Sequence, residues 1–529
     1  MALGILLVAA VICLCILAEK FSGKFGMPAL LLFMGIGMIF GSDGILKIPF
    51  DDYSMAERLC TIALSFIMFY GGFNTKWKAA KEVAGKAVLL STLGVVITAM
   101  LTAWLCTMFL GFSWKESFLV GAVLSSTDAA SVFAILRRKK LNLRDGTASL
   151  LEMESGSNDP VSYMMTILGI GMLGAGDSGN PVIMIGMQLV LGIMIGIGIA
   201  MAVILIMTKT SLVSDGLDTI FMIGMVMGCF GLSQLLGGNA FLSVYLMGII
   251  VGNSRIRNKS ILVSFFDGVT GLAQFFIFFL LGLLAFPHRF PDIILQALAI
   301  TVFLTLIARP AAVFLLLKPF KCSTRQCMLV SWAGLRGAAS IVFSISVIAG
   351  NADLSHDLFH IVFMVSLFSV AIQGTLLPTA AKKLDMIDEK ADVSKTFNDY
   401  QEESAITLMR MYIPKGHNWE NRMIKDVSMP TGSLALMIKR GKETLIPRGD
   451  TVILAEDNLI LSVPSYEPGE QENLQEIPIE KGHSWCGKRI EELDLPDHVL
   501  IALVMRGEEN LIPDGQTMIL EGDIVVSYR

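Results

Sequence analysis

Two carboxylates stand inside an apolar stretch of helix length. The segment is Glu154-Ser155-Gly156-Ser157-Asn158-Asp159-Pro160, with Leu150 and Leu151 before it and Val161, Met164, Met165, Ile167 and Leu168 after it. A charge at the centre of a bilayer costs about 2.5–3.5 kcal/mol on insertion scales. A chain carries that cost where the charge faces a cavity and handles an ion or a proton. At about 3.6 residues per turn, Ser155 and Asp159 share one helix face, and Glu154 and Asn158 share the next. Carboxylate, hydroxyl and amide oxygens suit a hard monovalent cation or a proton. Pro160 removes a backbone donor and predicts a loosened ladder at Asp159.

Two further polar runs interrupt apolar stretches. In Ser125-Ser126-Thr127-Asp128 the hydroxyls compete for backbone hydrogen bonds and open a helix. An opened helix exposes carbonyls that coordinate cations. Thr127 then belongs to the cation site, and Asp128 is either a second ligand or the N-cap of the lower half-helix. In Trp332-Ala333-Gly334-Leu335-Arg336-Gly337-Ala338 two glycines surround an arginine, which predicts a second discontinuous helix. Ala308-Arg309-Pro310 adds another deep arginine. Neither arginine is left unpaired in lipid. Glu154 is a natural partner for Arg336, with Arg309 the next to test, and that leaves Asp159 for a transported ion. The acids Asp128, Glu154 and Asp159 set against Arg309 and Arg336 leave one net negative charge. One cation or one proton neutralises it, and both together do not, which is the logic of exchange. Asp267 is placed nearer the membrane edge.

These residues need a membrane around them, and the composition supplies it. Of 529 residues 54% are hydrophobic and 16% charged, against about a quarter charged in soluble proteins. Thirteen apolar stretches fall between residues 2 and 380, each near the roughly 20 residues of a spanning helix. The first, Met1 to Leu17, lacks a basic leader and reads as a span rather than a cleaved signal. The expected fold is therefore an all-α polytopic membrane domain over residues 1–383. Lys20, Lys24, Lys76, Lys78, Lys81, Lys86, the run Arg137 to Lys140, Arg255, Arg257 and Lys318 fall on one set of loops. The other set holds Lys47, Arg58, Lys115 and Arg289. The positive-inside rule puts the N-terminus outside and the C-terminal tail in the cytoplasm of a cell with this protein in its inner membrane. A net charge of −5 gives no support for nucleic-acid binding. The eight cysteines, without a C-x-x-C pair, read as small buried hydrophobes.

After residue 383 the composition turns polar. Residues 384–404 read as a linker, followed by two modules at 405–466 and 467–529. Lys415-Gly416-His417 recurs as Lys481-Gly482-His483, and Leu445-Ile446-Pro447 as Leu511-Ile512-Pro513. Lys439-Arg440-Gly441 matches Met505-Arg506-Gly507 in the same register, which marks a duplication. Each copy carries short β-rich runs and one short helical stretch, a small α/β module. His417, Arg440, His483 and Arg506 occupy matching positions and suit a symmetric anionic regulator such as a cyclic dinucleotide.

Other motifs lead nowhere. Gly169-Ile170-Gly171-Met172-Leu173-Gly174 closes a membrane helix and follows no strand, so it is no dinucleotide site. His356 and His360 have metal-ligand spacing without a catalytic acid. There is no P-loop for an ATP-driven pump and no T-V-G-Y-G filter. No enzyme chemistry is indicated. A ligand-gated cation channel and a membrane-anchored sensor with a vestigial core are the competing classes.

The sequence resembles the monovalent cation:proton antiporters of the NhaP type. The resemblance covers about residues 1–383 and rests on Thr127-Asp128, Glu154-Ser155-Gly156, Asn158-Asp159-Pro160 and Gly334-Leu335-Arg336-Gly337. It implies a homodimer of 13-helix protomers with inverted repeats, and crossed broken helices five and twelve. It implies alternating access in membrane lipid, with Asp159 carrying cation and proton in electroneutral exchange. It also implies a Glu154–Arg336 pair. Many relatives carry an acid just before the glycine of the third span, where this chain has Tyr70. That departure predicts a less acidic inner access route. The tail resembles tandem TrkA-C-like ligand-sensing modules, and such tails on antiporters favour K+ over Na+ by analogy. No cofactor is implied beyond the transported K+ or Na+ and H+.

Overall fold

The computed structural model describes residues 2–388 and 406–528, apart from 26–27, 140, 175–179, 210–215, 351–353, 428, 430–432, 441–442, 465–473, 480–482, 484, 494–499, 507–508 and 512. Residues Met1–Tyr400 and Gln401–Arg529 form two separate units.

The first unit is helical. Among the described residues, Ala84–Phe109, Pro181–Lys209, Asp218–Leu235, Lys259–Leu283, Pro287–Phe320 and Leu358–Lys383 are each long and apolar enough to cross a membrane. Polar residues mark where helices begin. Asp52, Asn239, Ser323 and Asp357 each accept a backbone N–H of the first turn that follows. Ser113 and Glu116 form a reciprocal capping box at Trp114–Leu124. Glycines set the closest crossings. A Cβ on Gly248 or Gly252 would run into the backbone carbonyls of Phe69 and Phe73, so Ala240–Gly252 lies directly on Tyr53–Asn74.

Two helices are broken. Trp114–Leu124 stops at Ser125, and Ala129–Arg138 resumes after a four-residue gap. Thr324–Trp332 stops at Ala333, and Ala338–Ala349 resumes at residue 338. The breaks touch, because the Asp128 N–H donates to the Leu335 carbonyl at 2.8 Å. Thr147–Met172, by contrast, continues as a helix through Pro160, against the expected loosening. Its neighbours hold it there. Asn239 donates to the Pro160 carbonyl at 2.8 Å, and Ser162 to the Ala122 carbonyl at 2.6 Å. The missing proline N–H still leaves the Gly156 carbonyl without its helical donor.

The expected linker is not free at its start. Arg144 N–H donates to the Met386 carbonyl at 3.0 Å and Asp388 N–H to the Asn142 carbonyl at 2.9 Å. Asp385 accepts from both Arg144 at 3.0 Å and Arg325 at 2.9 Å. Met386 is buried against the same cluster as Leu143. Residues 384–388 thus belong to the first unit, and the rest of the expected linker lies outside the described residues.

The second unit confirms the repeat and corrects its class. Among the described residues each module forms a four-stranded antiparallel sheet. In the first, Ile406–Tyr412, Asn458–Pro464, Leu434–Arg440 and Glu443–Leu445 lie in that order. In the second the order is Leu474–Pro478, Ile524–Tyr528, Leu500–Arg506 and Glu509–Leu511. The register shift at Ala435/Met437 recurs at Ile501/Leu503. The expected helical stretches are single 3-10 turns, Ile424–Asp426 and Ile490–Glu492. Arg440 and Arg506 do not stand ready for a ligand. Each makes a two-point ion pair with a buried carboxylate of its own module, Asp457 at 2.8 Å and Asp523 at 2.7 Å. A charge on a half-buried strand needs a partner, and the turn before the next strand supplies one.

Burial pushes the Asp457 carboxyl up, but the Arg440 guanidinium and the Leu454 N–H outweigh it and hold it below the usual range. The Arg506 guanidinium holds Asp523 low in the same way. A depressed carboxylate stabilises the fold above its ordinary value of 3.8 and loses that contribution as pH falls through its lowered value. Asp457→Asn and Asp523→Asn should therefore each lower the thermal midpoint of the tail at pH 7. Each should also flatten the loss of stability below about pH 4. Hydrogen exchange of tail peptides in the full chain reads both, and a midpoint unchanged in both variants refutes the assignment.

Candidate functional site

The site is built where the two breaks meet the middle of Thr147–Met172. Asp159 is buried, and its carboxylate accepts from the Ser126 hydroxyl. Ser155 donates to the Thr127 carbonyl at 2.6 Å. Asn158 donates to the Thr127 hydroxyl at 2.5 Å and to Glu154 at 3.2 Å, and its own amide oxygen has no partner among the described residues. One turn of helix thereby ties itself to the first break through three side chains. The sequence marked Ser126 as part of the polar run but did not assign it to the ion site, although its hydroxyl reaches Asp159.

Asp128 takes the N-cap role. It accepts from the Ser131 N–H at 3.2 Å and from the Ser131 hydroxyl, which satisfies the first turn of Ala129–Arg138. It packs on Gly337, where any Cβ would collide with its carboxylate. It lines the same cavity as Asp159, so capping and facing the ion path are not exclusive.

The ion pair differs from expectation. Glu154 pairs with Arg309 at 2.8 Å, both residues being at most 2% exposed. Arg336 instead donates to the Ser126 carbonyl at 2.7 Å, while its N–H donates to the Ser369 hydroxyl at 3.0 Å. The reason is positional. Arg336 leaves the second break beside the carbonyls that the first break has opened, and those need a donor. Arg309 follows the π-turn Leu304–Ala308 within the continuous helix Pro287–Phe320 and reaches Glu154, with Gly334 packed so closely that a Cβ there would stand 2.8 Å from its Nε. Both arginines border a separate chamber of about 10 Å³ with Thr301, Thr305, Ser369 and Gln373. Two π-helical turns, Leu304–Ala308 and Ser369–Gly374, supply Leu304, Thr305, Ser369 and Gln373 to its wall. Such turns recur at functional sites.

A cavity of about 350 Å³ opens onto Asp159, Asp128, Thr127 and Ser155. Its walls also carry Glu19, Glu152, Asp267 and Tyr70. With Tyr70 in place of an acid, the route to Asp159 still carries Glu19, Glu152 and Asp267. Asp267, placed at the membrane edge from sequence, is exposed but lines this same cavity. Glu152 went unnoticed. Its signal was present, since Glu152 and Asp159 are seven residues apart, two helical turns on one face. His356 and His360 do not converge: His356 sits 3.4 Å from Glu116 and His360 2.7 Å from Asp357. The arrangement offers a buried carboxylate, hydroxyls and an opened backbone to a small cation.

Removing either partner of the buried pair strands a charge, at a cost of about 3–5 kcal/mol. Glu154→Gln and Arg309→Gln should each lower the melting temperature in detergent, and the double variant should lose far less than their sum. Arg336→Gln should remain additive with Glu154→Gln. Coupling of Glu154 to Arg336 rather than to Arg309 in that cycle would contradict the geometry.

The chain matches the transmembrane sodium/hydrogen exchanger domain over residues 7–383 and the TrkA-C domain twice, over 408–465 and 474–526. It is 33% identical over 451 residues to the K(+)/H(+) antiporter NhaP2 of Shewanella sp. strain ANA-3, covering 84% of this chain and 78% of that one. It is 26% identical to the Na(+)/H(+) antiporter ApNhaP of Aphanothece halophytica, covering 85% of each. The sodium proton antiporter MjNhaP1 of Methanocaldococcus jannaschii shares the fold, with a TM-score of 0.62 at 24% identity over 71% of this chain and 100% of that one. With the exchanger domain matched over residues 7–383 and two TrkA-C domains behind it, the chain belongs to the sodium/hydrogen exchanger family of cation:proton antiporters.

Proposed function

We propose that the protein is a secondary antiporter exchanging one monovalent cation for one proton at Asp159 by alternating access. The observation that carries this reading is the state of that carboxylate. It is buried at the inner end of an acidic cavity, and no lysine, arginine or histidine lies within 4.0 Å of it among the described residues. Such a group needs a positive charge, and a bound cation or a proton supplies it. One carboxylate serving both by turns makes the exchange electroneutral. The name of the 33% relative favours potassium over sodium as the cation. In this reading the protein works as a homodimer in the inner membrane, with the N-terminus outside and the tail in the cytoplasm.

The tail regulates the core in the same proposal. With Arg440 and Arg506 committed to ion pairs, His417 and His483 are the remaining matched residues for an anionic regulator. The route is the fastened segment at Asp385. Arg144 lies in the loop entering the Asp159 helix, and Arg325 lies in the first turn of the second broken helix. Pull on the tail thus reaches two elements that carry site residues.

Asp159→Asn should abolish cation-driven proton movement in proteoliposomes while the protein remains folded. In the wild type the half-saturating cation concentration should rise as pH falls, because both ions compete for one group. A half-saturation constant that ignores pH, or exchange by the Asn variant, would sink the assignment. Asp385→Ala should leave exchange intact but uncouple it from the tail, so that its activity matches that of a chain truncated after Asp388. Identical responses to cyclic dinucleotides and pH in wild type and truncation would rule out regulation by the tail.

A further inference from the structure

The cavity that reaches Asp159 carries a second carboxylate with no cationic partner. Asp267 accepts from the Tyr70 hydroxyl at 3.0 Å, and no lysine, arginine or histidine lies within 4.0 Å of it among the described residues. It sits on Lys259–Leu283, which runs antiparallel to Tyr53–Asn74. Phe66 and Phe69 pack on Phe266 at 6.3 and 5.0 Å, while Phe73 lies under Lys259 at 5.9 Å. Progress along one helix is therefore retreat along the other. Thr270 stands one turn beyond Asp267, and Asn74 one turn beyond Tyr70 in the opposite sense. The four residues form a row along the cavity wall.

Two of these oxygens lack partners. Thr270 is 8% and Asn74 5% exposed, and neither Thr270 Oγ1 nor Asn74 Oδ1 has a hydrogen-bond partner among the described residues. Buried polar atoms are rarely left so, and a water or an ion in the cavity would satisfy both. Space is provided beside them. Gly71 and Gly271 line the cavity, and a Cβ at either would meet nothing within 4 Å. Asp267 is exposed where Asp159 is buried, so its field is better screened and its hold on an ion weaker.

We propose that Asp267, with the Tyr70 and Thr270 hydroxyls and the Asn74 side chain, forms a second, weaker monovalent-cation site. A partly hydrated ion rests there before it reaches Asp159. The proposal rests on the antiport reading, since a station has meaning only on a route. Carboxylate, hydroxyl and amide oxygens without sulfur or imidazole select a hard cation. The ion enters at the exposed Asp267, and the buried Thr270 stands between Asp267 and the deeper part of its own helix.

The test is equilibrium binding of radioactive rubidium and sodium to the full-length protein, alongside exchange in proteoliposomes. Wild type should show two classes of saturable binding. Asp159→Asn should keep the weaker class, and Asp159→Asn with Asp267→Asn should lose it. Asp267→Asn alone should raise the half-saturating cation concentration about tenfold, with Asp267→Glu restoring most of it. Thr270→Val, nearly isosteric, should move the constant the same way and stands in where Asp267→Asn fails to fold. Loss of all saturable binding in Asp159→Asn would overturn the second site. So would an unchanged half-saturation constant in folded Asp267→Asn or Thr270→Val. Exchange by Asp159→Asn would instead overturn the antiport reading itself.

Discussion

A backbone that stops being helical inside an apolar layer must find new partners for its N–H and C=O groups. Everything at the centre of this protein follows from that constraint. The N–H of Asp128 finds the Leu335 carbonyl, the Ser126 carbonyl finds the Arg336 guanidinium, and the Thr127 carbonyl finds the Ser155 hydroxyl. Each break thus satisfies the other, with the Asp159 helix as third party. The carboxylate of Asp159 is held by the same stretch, through Ser126, and its position is set by the repair of the backbone around it.

The same constraint explains why charges stand so near the middle of an apolar fold. Arg336 acts here as a donor to an opened helix end, and Arg309 as the counter-charge of Glu154. With Glu154 neutralised and Asp128 turned to its cap, Asp159 remains the uncompensated buried group at the inner end of the cavity. The acids nearer the exposed end, Glu19, Glu152 and Asp267, set the sign of the field along the way in.

Much of this was legible in the residues. The polar runs at 125–128 and 333–337 announced the two broken helices, and Glu154 to Pro160 announced the helix between them. The duplicated blocks of the tail announced its two modules. Pairing was not legible. Arg309 and Arg336 sit in equally apolar surroundings, and only the path of the chain in space decides which one faces Glu154. The cavity was not legible either. Asp267 lies near the start of its helix, which reads as membrane edge, yet the cavity brings that face into the ion path. The tail arginines looked like ligand groups because Asp457 and Asp523, 17 residues further along, give no local sign of being their partners. Tertiary contacts carry that information, and periodicity does not.

Asn239 makes a tie whose reach is wider than one hydrogen bond. Its oxygen starts Ala240–Gly252 by accepting from Leu242 N–H, and its nitrogen holds the Pro160 carbonyl, one residue beyond Asp159. Both ends of one amide are engaged, in opposite senses. An aspartate there would keep the first duty and turn the second into repulsion; a serine would keep the first and fall short of the second. At position 239, therefore, neither the isosteric acid nor the shorter hydroxyl stands in for the amide, although the residue lies outside the cavity wall.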